Sequence, residues 1–173
     1  MNAILRHGDV AVDATMGNGK DTQFLCELVG EEGHVYAFDV QKEAVERTAA
    51  RLKEAGYENR ATLLLAGHET MKEHVQSAPR VVVFNLGWLP GAEHDVHSTA
   101  DGSVPALRAA LEALRPGGVL AAVLYSGKVI GDAEKQAALA FFKALPLTRY
   151  TVLVCEFANW AQTAPLPCFV IKK

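Results

Sequence analysis

What this chain lacks narrows its identity first. Its three cysteines, Cys26, Cys155 and Cys168, form no C-x-x-C pair, and an odd, widely spaced set does not make a disulfide framework. A reducing cytoplasm is the expected compartment. No uninterrupted apolar run approaches the roughly 20 residues of a membrane span, and the opening MNAILRHGDV has no apolar signal core of about 7 to 15 residues. A soluble, cytoplasmic protein without a membrane partner is therefore expected. Charge of one sign is also scarce: 17 Lys and Arg against 20 Asp and Glu give a net charge of -3, too little for a global field that would attract a polyanion. Contact with nucleic acid would need a local basic patch or a second subunit. There is no repeat, low-complexity tract or linker-like shift in composition.

What is present suits one compact domain over residues 1–173: half of the residues are hydrophobic and 21% are charged, enough for a full core. Apolar and β-branched runs alternate with stretches of helical spacing. The strands expected are Val10 to Thr15, His34 to Asp39, ATLLLAG, RVVVFNLG, GVLAAVLY, RYTVLVCEF and PCFVIKK. The helices expected are Lys20 to Leu28, Lys42 to Glu54, Pro105 to Leu114 and Asp132 to Ala144. In the second helix Ala44, Val45, Thr48, Ala49 and Leu52 share one face. Continuous apolar strands separated by helices predict an α/β fold, a doubly wound, seven-stranded and mostly parallel sheet covered on both faces, with the last two strands paired antiparallel. Ligands of such sheets sit beyond the carboxyl ends of the strands, near the switch in strand order. Every notable polar cluster falls at those ends: Asp13 to Asp21, Asp39, His68 with Glu69, and Asn85 to Gly91.

The stretch DATMGNGKDT, from Asp13 to Thr22, brings two glycines to the end of the first strand, where a backbone must approach a ligand closely. A dinucleotide fingerprint would have a third glycine where this chain has Thr22. Asp39 ends the second strand 22 residues after Gly17, the place of a carboxylate that accepts from a ribose diol. Carboxylates at Asp13 and Asp21 would repel a phosphate and attract an ammonium or sulfonium. S-adenosylmethionine therefore fits and NAD fits poorly, although Asp13 also suits a turn cap and Asp21 a helix cap. Lys20 lacks the Gly-Lys-Ser/Thr context of a phosphate loop and reads as a solvated helix-start residue. His68 and Glu69 fall where an adenine edge would lie, with a structural histidine and a helix-capping glutamate as the alternatives.

The run VVVFNLGWLPG places an amide and a flat ring side by side at the sheet edge. Methylation of an amine needs its lone pair in line with the methyl, and an acceptor for the amine hydrogen helps to hold that geometry. Asn85 can be that acceptor and Trp88 can stack on a base. No strong general base is needed if the amine arrives neutral. The alternatives are an asparagine that satisfies a loop and a tryptophan in the core.

In this order and spacing, DATMGNGKDT, YAFDVQ, AGHE and FNLGWLPG resemble class I S-adenosylmethionine-dependent methyltransferases, specifically the small YtqB-like, MnmM-type family labelled as rRNA methylases. The resemblance runs from Gly8 to about Pro146. It implies a Rossmann-like class I methyltransferase fold and methylation of the 5-aminomethyl group of 2-thiouridine at the tRNA wobble position, with S-adenosylhomocysteine as product. By motif it implies cofactor contacts at Asp13, Gly17, Asn18, Gly19, Asp21, Asp39, Gln41, His68 and Glu69. Asn85, Gly87 and Trp88 would lie beside the transferred methyl. Ser98 and Thr99 stand where the family has a Ser-Thr pair and are candidates for substrate contact, as is Tyr125 at the end of the fifth strand, which reads equally as a core residue. Trp88 replaces the family's usual Tyr, LPGAEH replaces LPGGDK, and YSGKVIG replaces YPGHPGG.

Methylation of rRNA or of a small-molecule amine is the alternative activity. An oxidoreductase is disfavoured by Thr22 and Asp13, and a non-catalytic binding protein by Asn85. His94, Asp95 and His97 have metal-like spacing but no further ligand cluster, so no metal is expected. Lys128, Lys135, Lys143 and Arg149 could meet tRNA phosphates, though each alone reads as a solvated charge. A chain this small has little surface for tRNA, and a homodimer is expected to supply the basic patch.

Overall fold

The computed structural model describes residues 4–86, 100–126, 131–161 and 164–173. Its strands are β1 (Val10–Asp13), β2 (His34–Asp39), β3 (Ala61–Leu65), β4 (Val81–Leu86), β5 (Val119–Leu124), β6 (Tyr150–Val154) and β7 (Leu166–Lys172). The helices are α1 (Lys20–Val29), α2 (Lys42–Ala55), the single turn α3 (Met71–His74), α4 (Ala100–Ala113) and α5 (Gly131–Lys143). One sheet runs β3-β2-β1-β4-β5-β7-β6. The first five strands are parallel, and β7 pairs antiparallel with both β5 and β6. The expected architecture is thus observed, and the strand order reverses between β1 and β4.

Period-2 alternation divides the core into two layers. On β4, Val82, Phe84 and Leu86 join Leu107, Leu111, Ala138 and Phe142 of α4 and α5. Val81 and Val83 point the other way, toward Leu25, Cys26 and Val29 of α1 and Leu52 of α2. Both neighbours of each central strand are therefore needed to bury it, which is why β1 and β4 read as unbroken apolar runs.

Three details differ from the sequence reading. On α2 the buried face is Ala44, Thr48 and Leu52, whereas Ala49 is exposed and Val45 half-buried. The helix α4 begins at Ala100, with Pro105 inside it. As the sixth residue of α4, Pro105 forgoes the N–H that would otherwise reach the Asp101 carbonyl, a local cost that the packed helix absorbs. After β3 a short 3-10 turn (His68–Thr70) leads into α3, a pair too brief to show a helical period.

The C-terminal residues close the fold through Lys172. Its ammonium donates to the carbonyls of Leu111, Glu112 and Leu114 at 2.9, 2.9 and 2.6 Å, so a cation caps the free carbonyls and negative dipole end of α4. Burial lowers the Lys172 pKa from its ordinary value. Replacing Lys172 by Met should cost about 1 to 2 kcal/mol of stability, the range for charged hydrogen bonds at a partly exposed helix end. Urea unfolding checks this, and an unchanged midpoint would show that water serves those carbonyls equally well.

Candidate active site at the strand-order switch

The end of β1 turns into α1 through a loop whose geometry demands glycine twice. Gly17 and Gly19 have φ of 51° and 73°, in the left-handed region that side chains disfavour. At Gly19 a Cβ would also lie 2.6 Å from the Thr48 hydroxyl oxygen of α2. The loop therefore packs directly on α2, and Arg51 secures it by donating to the Asn18 carbonyl at 2.8 Å.

Three carboxylates converge on this loop from different elements. Asp39, half-buried at the end of β2, accepts the Gly17 N–H on one oxygen and the Gln41 N–H on the other, both at 2.9 Å. Each carboxylate oxygen has a second lone pair, so Asp39 fixes the glycine turn and can still accept from a diol. Asp21, exposed in the first turn of α1, accepts the Asn85 side-chain amide at 2.6 Å. Because a carboxylate only accepts, this bond turns the Asn85 NH₂ toward Asp21 and leaves the amide oxygen for another partner.

Asp13 takes a different place from the ligand contact expected of it. It has no exposed surface, so its carboxylate supports the loop from beneath instead of meeting a ligand. It accepts the Thr22 hydroxyl at 2.6 Å and the Thr15 N–H at 3.1 Å. Burial pushes its pKa up to about 6. The two hydrogen bonds oppose this, and the nearby Asp21 and Asp39 charges add to it.

Sequence reasoning missed the two threonines that complete this arrangement. Thr22 counted only as the absence of a third glycine, yet its hydroxyl is what permits a buried acid. The Thr15 hydroxyl accepts the Asn85 N–H at 2.8 Å and so joins the end of β1 to the end of β4. The signal was available: an aspartate inside an apolar run needs nearby hydroxyl or N–H donors, and DATMGNGKDT holds two threonines.

The remaining candidates divide. His68 Nδ1 lies 3.0 Å from the Ala14 carbonyl, and the ring packs edge-on against Phe84. It therefore ties the segment after β3 to β1. Glu69 is exposed, and its carboxylate folds back over Gly67, where any Cβ would collide with it. Tyr125 is exposed, not in the core, and its N–H donates to the Leu86 carbonyl at 3.1 Å. Gly87, Trp88, His94, Asp95, His97, Ser98, Thr99 and Lys128 lie outside the described residues.

A glycine loop after β1, an acid ending β2 and an asparagine ending β4, gathered at the switch of a sheet ordered 3-2-1-4-5-7-6, define the class I methyltransferase fold. The chain belongs to the family described as "Putative rRNA methylase", whose model matches residues 35–171. It is 35% identical, over 98% of its length, to the chloroplastic tRNA (mnm(5)s(2)U34)-methyltransferase of Arabidopsis thaliana. It spans 65% of that curated relative. Among solved structures, it resembles a "putative rRNA-methylase" from Clostridium thermocellum, with TM-score 0.97 and 35% identity, covering 99% of this chain and 92% of that one. A "putative methyltransferase" from Streptococcus mutans, solved in complex with SAH, matches with TM-score 0.90 and 37% identity over 99% and 93% of the two chains.

The buried acid makes a pH prediction. The folded-state pKa of Asp13 is about 6, above its ordinary 3.8, so the native state binds the proton more tightly than the unfolded chain. Its stabilising effect is complete below pH 3.8 and is lost as pH rises through 6, a swing of about 3 kcal/mol. Asp13→Asn cannot titrate. The stability of the natural protein relative to this variant should therefore fall by up to that amount between about pH 4 and 7. Denaturant unfolding of both proteins across that range is the measurement, and parallel curves would show that Asp13 is not buried in the way described.

Proposed function

We propose that the protein is an S-adenosylmethionine-dependent methyltransferase that methylates an amine on RNA, the 5-aminomethyl group of wobble (2-thio)uridine in tRNA. The observation that carries this reading is the Asp21–Asn85 bond. It leaves an amide oxygen facing outward at the strand-order switch, where an amine hydrogen can be accepted. The name of the plant relative, at 35% identity, supports the tRNA acceptor.

The donor set fits the cofactor. Carboxylates at Asp39 and Asp21 suit a ribose diol and a cationic amino-acid end, and the Asp21 charge would repel a phosphate. Gly17, Asn18, Gly19 and Gln41 line the same turn, with His68 and Glu69 on the neighbouring strand end. When bound, S-adenosylmethionine supplies an electrophilic methyl group. On this reading Asn85 holds the neutral acceptor amine through one N–H, aiming its lone pair along the line of transfer. Once methylated, the amine loses its extra proton to solvent, and no enzyme base is required. Gly87 and Trp88, which continue the chain from β4, would complete the acceptor side, with Ser98, Thr99 and Tyr125 as further substrate contacts.

The family description favours rRNA as the second acceptor to test. Cys26, Cys155 and Cys168 are free thiols, in keeping with a reducing compartment such as the cytoplasm. No helix among the described residues is long and apolar enough to cross a membrane. The homodimer is part of the proposal, and one surface supports it. On the face of β6 and β7 opposite α4 and α5, Leu153, Phe169 and Ile171 are exposed, and Phe157 stacks on the exposed Trp160 in the stretch between the two strands. Monomeric soluble proteins seldom leave a contiguous apolar patch of this kind uncovered.

Three outcomes check the proposal. Nucleoside mass spectrometry of tRNA from cells lacking the protein should show unmethylated 5-aminomethyl nucleoside accumulating; an unchanged tRNA profile together with a missing rRNA methyl group would favour the second acceptor. Calorimetry should show S-adenosylhomocysteine binding without NADH binding, and Asp39→Ala should weaken it by about 1.5 to 3 kcal/mol, as for a hydrogen bond to a charged group. Asn85→Ala should lower kcat by about one to three orders of magnitude, or 1.4 to 4 kcal/mol, with cofactor affinity nearly intact. Parallel loss of both would instead place Asn85 in the cofactor pocket.

A further inference from the structure

Away from the cofactor turn, the apolar layer between α4 and α5 contains a buried polar pair. Ser103, in the first turns of α4, has no exposed surface, and Glu134, in the first turn of α5, is 4% exposed. The Ser103 hydroxyl donates to the Glu134 carboxylate. One turn further along each helix the neighbours are Ala106, Leu107 and Ala138, all fully buried. Burying a carboxylate is costly, and two apolar side chains of similar volume would join the helices at least as firmly. What a hydrogen bond adds is direction, since it is satisfied at one spacing and one rotation of the two helices.

That spacing bears on the site. The helices α4 and α5 follow β4 and β5, whose ends carry Asn85 and Tyr125. Asn85 is the register partner of Val123, and Tyr125 is bonded through its N–H to Leu86. The residue after Glu134 reaches the same place, because Lys135 donates to the Ser126 hydroxyl at 2.8 Å. Successive residues of α5 thus hold the start of α4 on one side and the chain leaving β5 on the other. The cofactor turn is secured separately, by Asp13, Asp39, Thr48 and Arg51.

We propose that Ser103 and Glu134 are positioning residues for methyl transfer: their bond, with Lys135–Ser126, sets the acceptor side of the site relative to Asn85 and leaves the cofactor side unaffected. This rests on the reading that Asn85 faces the acceptor amine. Ser103→Ala and Glu134→Ala should lower kcat on tRNA bearing 5-aminomethyluridine by roughly 10- to 100-fold, the scale for a reactant displaced by about an ångström. Their affinity for S-adenosylhomocysteine should stay within about twofold, under 0.5 kcal/mol, and Glu134→Gln, which keeps an acceptor, should recover most of the rate. Amide hydrogen exchange supplies a readout independent of activity. It should quicken in the first turns of α4 and α5 and at the ends of β4 and β5, but not between Val10 and Gln23. Uniform quickening, an unchanged rate, or loss of cofactor affinity in step with rate would each overturn the proposal. If the natural protein itself failed to methylate this tRNA, the acceptor reading would fall, and the exchange pattern would still decide whether the brace exists. Should Glu134→Ala not fold, Ser103→Ala, a smaller change, carries the test.

Discussion

The site depends on a carboxylate that water cannot reach. Asp13 ends β1 with no exposed surface, and the donors that make its burial tolerable are the Thr22 hydroxyl and the Thr15 N–H. Each donor commits a further part of the structure. Thr22 anchors the first turn of α1, which fixes where Asp21 stands. Thr15 receives the Asn85 N–H, which fixes the end of β4. Asp39 then needs only to clamp Gly17 for the whole turn to have one conformation. A polar group of this kind is held by geometry more than by energy: the hydrogen bonds offset its desolvation only when all of them are made.

The two layers of the core explain why the cofactor turn and the acceptor side are built differently. On the face of α1 and α2, the glycine turn is short and packs against a helix, so the carboxylates of Asp13 and Asp39 with Thr48 and Arg51 suffice to define it. On the face of α4 and α5 the chain from β4 to α4 is longer in sequence, and helix-to-helix contact supplies a constraint of its own. Leucine and alanine packing supplies the stability there, while the Ser103–Glu134 bond supplies a fixed relative placement. Beyond β5, the side of β6 and β7 opposite α4 and α5 carries no helix among the described residues and leaves Phe169 and Ile171 exposed. That asymmetry follows from α1 and α2 covering only the first strands of the sheet.

The fold was legible because each central strand is buried on both faces, so its apolar run is unbroken and its length shows. The glycines and acids of the site were legible for a related reason, since they interrupt such runs at the strand ends. Asp13, Asp39 and Asn85 could therefore be located from the sequence, but the partners of their side chains could not. Whether an acid at a strand end meets a ligand or a threonine depends on a few ångströms of loop path, and periodicity carries no information on that scale. The same limit hid the role of His68: a histidine after β3 reads alike whether it meets a ligand or the Ala14 carbonyl. Ala49 was misplaced for another reason. Alanine is small enough to sit on either face of a helix at little cost, so a stripe drawn through Ala44, Thr48 and Leu52 gains it without a physical demand.

Charge placement constrains how an RNA could use such a site. The charges of Asp21 and Asp39 add to the upward shift of the Asp13 pKa, so the strand-order switch gathers three carboxyl groups in a chain that is already slightly acidic. Such a cluster suits a cationic cofactor and an amine-bearing base, and it repels phosphate. On the proposed reading the nucleotide backbone must therefore stay outside while a base alone enters, as with enzymes that work on unpaired or extruded nucleotides. A wobble base in a single-stranded loop meets that condition without the cost of opening a duplex. The exposed Lys143, near the end of α5, and Arg149, just before β6, stand toward the amino end of β5, the sheet edge opposite Asn85, so any phosphates they met would belong to nucleotides remote from the methylated base.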